Sequence, residues 1–260
     1  MKTTKIHKAL RSDKGGIAFG HDDDGRKARL PVGDDSHNLF VYGPRGRTTT
    51  AAVIINGARN RGIPVHLALP TAQHRAFGPV IDGSDTAVVS VSHGFEAVAV
   101  HLEALLASAE HLASEAQSAA ASITAGRSTD WVAPPRVLVV VSDLDRIMAP
   151  IDSAASPAAA LAEPPAADVA RARAALAFVR LARLSGVARM TVVATSIDDP
   201  VRFLGWADGD DLVDTTTLAL GDGRPGTGML YEIGPTSSFD PGRPITCWYL
   251  PRSWARGGDR

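Results

Sequence analysis

Arg136 is followed by Val137-Leu138-Val139-Val140-Val141, apolar at every successive position. Side chains of a strand point alternately to its two faces, so such a run must be covered on both. That excludes a sheet with one wet face and calls for a parallel sheet sandwiched between helices. Shorter apolar runs at His37–Tyr42, Val65–Leu69, Thr86–Val91 and Met190–Ala194 read as companion strands, with a short strand at Ile17–Phe19. Between them lie helical patterns. Thr50–Asn60 carries Val53, Ile54 and Ala58 before Gly62 and Pro64 stop it. From Phe95, apolar residues fall at Val98, Leu102, Leu105, Leu106 and Leu112, with Glu103, Glu110 and Glu115 on the other face. A third helix spans Ala166–Leu184 and is closed by Gly186.

Segments 118–135 and 153–165, rich in Ala, Ser, Gly and Pro, read as loops. Thr216–Leu220, Met229–Ile233 and Ile245–Leu250 have Gly/Pro turns but no helices between them, which predicts an antiparallel edge. The expected fold is α/β, a mainly parallel sheet with helices on both faces. At 260 residues, the reading is one domain over 15–251 with tails at 1–14 and 252–260. A net charge of −1 supplies no basic field for DNA. The single cysteine, Cys247, excludes an intrachain disulfide and a cysteine-cluster zinc site. No apolar stretch reaches about 18 residues, and the N-terminus has no apolar signal core. The expectation is a cytoplasmic protein without direct membrane insertion.

The strand His37–Tyr42 runs into Gly43-Pro44-Arg45-Gly46-Arg47-Thr48-Thr49-Thr50 and then a helix. That is the layout of a phosphate-binding loop, G-x-x-x-x-G-K-[ST], in which backbone N–H groups and a helix N-terminus cradle phosphates. The lysine is missing. Counted without gaps, Thr48, Thr49 and Thr50 take the last three places, and Thr50 would be the magnesium ligand. With two residues deleted after Gly43, Gly46-Arg47-Thr48 takes them, and Arg47 replaces the lysine. Its planar guanidinium is larger than an ammonium group and fits a tight cradle poorly. Both registers stand at this level, and both predict weakened nucleotide binding.

The strand ending Val141-Ser142-Asp143 has the layout of the element whose Asp holds magnesium and whose next Glu orients the attacking water. Read without gaps, Ser142 takes the Asp place and Asp143 the Glu place. Shifted by one, Asp143 becomes the magnesium ligand and Leu144 stands where Glu is needed. Either way the catalytic positions Ser142 and Asp143 are degenerate. Thr195, ending Val192-Val193-Ala194-Thr195, is the candidate γ-phosphate sensor.

Taken in order, these segments resemble the FtsK/SpoIIIE family of P-loop motor domains. Ile17-Ala18-Phe19-Gly20-His21-Asp22 is similar to the family's opening "I-x-x-G-x-D" strand. Asp35-Ser36-His37-Asn38-Leu39-Phe40-Val41-Tyr42-Gly43 is similar to "P-H-L-L-V-x-G". Val139-Val140-Val141-Ser142-Asp143-Leu144-Asp145 resembles the "V-V-V-D-D-Y-D" segment of the later, degenerate modules of EccC ATPases of type VII secretion. Leu181–Val187 with Val192–Thr195, and Leu220–Leu230 with its Gly/Arg/Pro turn, follow in the family's order.

The resemblance implies a RecA-like P-loop NTPase fold. It further implies ATP with magnesium as weak cofactors, if any, and a scaffold or partner-binding role in a secretion or translocation complex. Assembly with itself or with related ATPase modules, and recruitment to a membrane complex, go with it. The rival readings are an active FtsK-type DNA translocase of plasmid transfer and a pure protein-interaction module.

Other features have plain readings. His21-Asp22-Asp23-Asp24-Gly25 reads as a solvated turn, since the Glu that ends a calcium loop is absent. Arg171, Arg173, Arg180 and Arg183 read as a solvated helix face. His93, His101 and His111 are surface or structural residues, Cys247 is core, and Trp206, Trp248 and Trp254 are core or a partner patch.

Overall fold

The structure is a computed structural model that describes residues 16–32, 38–71, 77–78, 81, 88–149, 165–199, 215–221, 223–224, 226–232 and 242–249. Both predicted tails, His37, Thr86, Trp206 and Trp254, and nearly all of the 153–165 segment lie outside them.

Among the described residues ten strands form one sheet: β1 (Ile17–Asp22), β2 (Lys27–Leu30), β3 (Asn38–Tyr42), β4 (Val65–Leu69), β5 (Val88–His93), β6 (Val137–Val141), β7 (Met190–Ser196), β8 (Thr215–Leu220), β9 (Thr227–Glu232) and β10 (Arg243–Cys247). Among the described residues the helices α1 (Arg47–Arg59), α2 (Phe95–Thr124), α3 (Leu144–Met148) and α4 (Ala166–Leu184) accompany them. The spatial order is β2-β1-β10-β9-β8-β3-β7-β6-β4-β5. From β8 to β5 every pairing is parallel. From β8 outward through β9, β10 and β1 to β2 every pairing is antiparallel. The antiparallel edge is therefore wider than predicted, because β1 and the unanticipated β2 extend it.

Alternation along the central strands divides the core into two. Leu39, Val41, Leu67, Leu138, Val140 and Val193 face one layer with Val53, Ile54 and Ile55 of α1. Phe40, Ala68, Val139, Val141, Val192 and Ala194 face the other with α2 and α4. There Phe40 meets Phe178 edge-on at 6.3 Å between ring centres, a favoured aromatic geometry.

Several boundaries differ from the sequence reading for definable reasons. Helix α2 continues to Thr124, so 118–124 is helix and not loop. Its alanines are strong helix formers, and Gly126, with φ +71°, ends it. Helix α1 begins at Arg47, three residues before the predicted start. Gly186 is not the left-handed cap of α4. Ser185 caps it, and Arg189 takes the left-handed conformation at φ 57°.

The arginines of α4 are not merely solvated. Arg173 pairs with Glu103 (2.6 Å) and Glu96 (2.9 Å) of α2, and Arg180 pairs with Glu110. The hydrogen bond from Arg173 holds the Glu103 carboxyl below the usual range. Arg173 and Arg180 thus lace the two helices together.

Asp22 is buried. It accepts from the Arg26 N–H (2.6 Å) and pairs with Arg243 (3.2 Å), so it fastens the β1–β2 turn to β10. Cys247 and Trp248 are buried in the core. Burial pushes the Cys247 thiol up to about 11, which keeps it unreactive.

Candidate functional site

At the C-terminal end of β3 the chain order reverses. The connection through α1 leads past β7 and β6 to β4 on one side, while β8 lies on the other. Such a switch point opens a crevice beyond the strand ends, where doubly wound folds bind ligands. The Gly43–Gly46 loop, the end of β6 and the end of β7 border it.

The loop is tightly determined. Gly43 has φ +126°, and a Cβ there would lie 2.2 Å from the Leu220 carbonyl oxygen. Gly46 has φ +91° and sits against the Gly226 backbone, where a Cβ would lie 3.0 Å from its nitrogen. Only glycine fits either place. Gly46 precedes α1 directly, so Arg47 opens the helix and two residues, Pro44 and Arg45, separate the glycines.

The polarity of the loop is the informative part. The Gly43 N–H donates to the Ser196 and Ile197 carbonyls at 3.2 and 3.1 Å. Pro44 has no N–H to offer. Meanwhile the carbonyls of Gly43 and Pro44 accept from the Arg47 guanidinium at 3.1 and 3.2 Å. A phosphate cradle aims N–H groups at an anion; here two carbonyls of the loop accept from the loop's own arginine.

Across the crevice stands Asp143, in the left-handed conformation at φ 50°. Aspartate tolerates this region better than most residues. Its Oδ2 accepts from the Thr71 hydroxyl at 2.7 Å. Its Oδ1 is 3.7 Å from the Arg47 guanidinium and lacks a hydrogen-bond partner. The side chains of Arg47 and Asp143 are 12% and 4% exposed, so their charges face each other away from solvent.

The other expected residues are placed as follows. Pro44, Arg45 and Thr49 are exposed, and Thr48 is half-buried. Thr50 is fully buried and turns its hydroxyl back to the Gly46 carbonyl at 3.1 Å, so it is not presented to a metal ion. Ser142 is fully buried beneath the crevice, and the Thr195 hydroxyl donates to it at 3.4 Å. Thr195 also accepts from the Asp143 N–H at 3.2 Å. Its hydroxyl thus holds the aspartate backbone from below and is itself fully buried. Thr71 was not anticipated. Its only sequence signal is a polar residue just past the end of β4.

Magnesium and ATP would have to compete with Arg47 in this arrangement. Asp143 keeps one oxygen unbonded, but the nearest charge to it is already a cation. The same side chain is bonded to the carbonyls of the loop. Among the described residues no group of three or more His, Cys, Asp or Glu is placed to hold a metal ion, and no helix is long and apolar enough to cross a membrane.

The histidines gather elsewhere. His66 of β4 and His101 of α2 sit with Ser90 and Ser92 of β5, toward the opposite end of the parallel strands. Burial, and secondarily the charge of His101, pushes the His66 imidazole down to about 4, and burial also lowers that of His101. His111 is exposed and lies 3.4 Å from Glu115.

The fold is that of the RecA-like P-loop ATPases, with the loop strand separated from the β6 strand by β7. No family model matches the chain, and no curated protein matches it in sequence. Solved structures do. A protein described as an ATPase shares 17% identity over 95% of this chain and 94% of its own, with a TM-score of 0.58. EccC of Thermomonospora curvata (ATPases 2 and 3), in complex with a signal sequence peptide, shares 13% over 92% of this chain, with a TM-score of 0.58. This chain spans 41% of that one. The pCW3 conjugation coupling protein TcpA, in its monomer form with ATPγS, shares 10% over 95% of this chain and 69% of its own, with a TM-score of 0.63. The structural neighbours are thus FtsK/SpoIIIE-type ATPases, and the likeness is one of fold.

Proposed function

We propose that this chain is a degenerate FtsK/SpoIIIE-type, EccC-like P-loop module whose nucleotide crevice is closed by its own Arg47. It acts as a non-hydrolysing scaffold or partner-binding module of a type VII secretion or related translocation machine. One observation carries the first half: the loop carbonyls of Gly43 and Pro44 grip the Arg47 guanidinium, which faces Asp143 at 3.7 Å. A bound triphosphate would need that side chain expelled, the loop carbonyls turned away and the Asp143 charge answered by magnesium.

The helix start at Arg47 supports the shortened register, with Gly46 at the last glycine place, Arg47 at the lysine place and Thr48 at the hydroxyl place. A loop of that length lacks two of the residues that wrap the β-phosphate in the full motif. With Ser142 or Leu144 at a catalytic position, neither register of β6 supplies both the magnesium carboxylate and the water-orienting Glu.

The second half rests on the fold neighbours. They include a secretion ATPase solved with a signal sequence peptide and a conjugation coupling protein, which makes other protein chains, related ATPase modules or further copies of itself the expected partners. The site of action is the cytoplasmic side of a membrane complex. An active DNA translocase is the weaker reading, because its loop would have to release Arg47 at each turnover.

The test is a calorimetric titration with Mg-ATP beside a phosphate-release assay. The expected result is no binding at about 1 mM and no turnover. Robust hydrolysis would overturn the reading. Arg47→Lys, which frees the loop carbonyls and restores an ammonium, is expected to gain ATP affinity. The pair Thr48→Gly with Thr49→Lys is not, and a gain there would favour the gapless register instead.

A further inference from the structure

The His66 cluster is a built polar site that the nucleotide crevice does not use. Nδ1 of His66 and Nε2 of His101 are 3.2 Å apart. Ser90 Oγ lies 2.7 Å from each. The three atoms come from three separate elements, β4, α2 and β5, and converge in a triangle. The remaining nitrogen of His101, Nδ1, is 2.9 Å from Ser92 Oγ. A hydrogen bond on the far ring nitrogen is how proteins orient a ligating imidazole and select its tautomer.

Hydrogen bonds can serve the O–N contacts of the cluster, with Ser92 Oγ donating to His101 Nδ1, His101 Nε2 to Ser90 Oγ and Ser90 Oγ to His66 Nδ1. The 3.2 Å approach of the two ring nitrogens then has no proton of its own. A metal ion satisfies all three atoms of the triangle at once. Two imidazole nitrogens held about 2.0–2.1 Å from a zinc ion at a near-tetrahedral angle are roughly 3.3 Å apart, close to the spacing seen. The cluster also has an approach. It borders a cavity of about 410 Å³ lined by Leu105, Leu112, Pro135, Val137 and Met190, with space for the water molecules that would complete a coordination shell.

We propose that His66, His101 and Ser90 form a binding site for a late first-row divalent metal ion of the zinc class, with two imidazole ligands, the serine hydroxyl and water. Imidazole suits zinc, nickel, copper and cobalt, while the scarcity of carboxylate oxygens excludes magnesium and calcium. The ion ties β4, β5 and α2 together at the end of the sheet away from the loop, independently of whether the crevice takes nucleotide.

The experiment is calorimetric titration of the untagged chain with zinc chloride, repeated with cobalt chloride and read by visible absorption. The expected result is one ion per chain with a Kd below about 0.1 mM, weakened at least about tenfold in His66→Gln and in His101→Gln and unchanged in His111→Gln. Because either core variant could misfold, the unaltered chain is also examined by imidazole ¹H–¹⁵N spectroscopy. Zinc should then shift the ring signals of His66 and His101 together. Absence of uptake, uptake indifferent to both glutamine variants, or ring shifts confined to other histidines would each overturn the proposal.

Discussion

Replacing Arg47 by methionine keeps most of the side-chain volume and removes the charge that closes the crevice. At 3.7 Å the attraction to Asp143 is about 4–5 kcal/mol for an effective dielectric near 20. The desolvation of two charges offsets much of it. The variant also strands the Gly43 and Pro44 carbonyls, whose bonds to a charged donor are worth about 1.5–3 kcal/mol each. It leaves Asp143 Oδ1 facing no cation. Breaking a buried pair in this way typically costs about 3–5 kcal/mol. Water can enter from the 12% exposed arginine side, so a loss of about 2–3 kcal/mol is expected.

Asp143→Asn preserves shape and should cost less, about 1–2 kcal/mol. The double variant should lose less than the two singles combined, with a coupling of about 1–2 kcal/mol. Urea unfolding of the four proteins, with unchanged m-values, measures this. If Arg47→Met lies within about 0.5 kcal/mol of the unaltered chain and the coupling is nil, the guanidinium does not occupy the crevice and the argument for a closed site fails.

Three further outcomes are expected. Gly43→Ala should cost more than about 3 kcal/mol or prevent folding, since its Cβ would meet the Leu220 carbonyl at 2.2 Å; a Tm near that of the unaltered chain would contradict the loop geometry. Phe178→Ala, which empties the contact with Phe40 between α4 and the sheet, should cost about 3–5 kcal/mol in chemical denaturation. Acid should destabilise the fold through His66, whose imidazole is lowered to about 4 in the folded state. Between the unfolded value near 6.5 and about 4 the unfolded chain binds more protons, so stability falls as pH falls. The slope is at most about 1.4 kcal/mol per pH unit for this ring and smaller because it is only half-buried. His66→Gln should flatten that part of the stability profile.

Much of the parallel sheet was legible locally. Val137–Val141 is apolar on successive residues, and in the fold those residues divide between two core layers, as a doubly covered strand must. Helix α2 announced itself through its apolar spacing. The extent of α2 did not, because Ala and Ser between 118 and 124 suit a loop or a helix. Strand β2 escaped notice because Lys27-Ala28-Arg29-Leu30 is too short and too charged to signal a strand, and it exists by pairing with β1.

The candidate site divides in the same way. The amino-acid sequence by itself determined that a glycine-bracketed turn follows an apolar strand, that its lysine is absent, and that Ser142 and Asp143 stand where catalytic acids are expected. Those are statements about residue types at short spacing, and short spacing is what local rules read.

Only the tertiary structure decided the direction in which the loop's backbone groups point and which side chain fills it. Arg47 reaches Asp143 across 95 intervening positions because β3 and β6 are both anchored beside β7. His66, Ser90 and His101 likewise meet only where β4 pairs with β5 beneath α2. Hydrophobic periodicity specifies which face of each element is buried. Which polar atoms those buried faces bring within 3 Å of one another depends on strand order and register, and these are properties of the whole sheet.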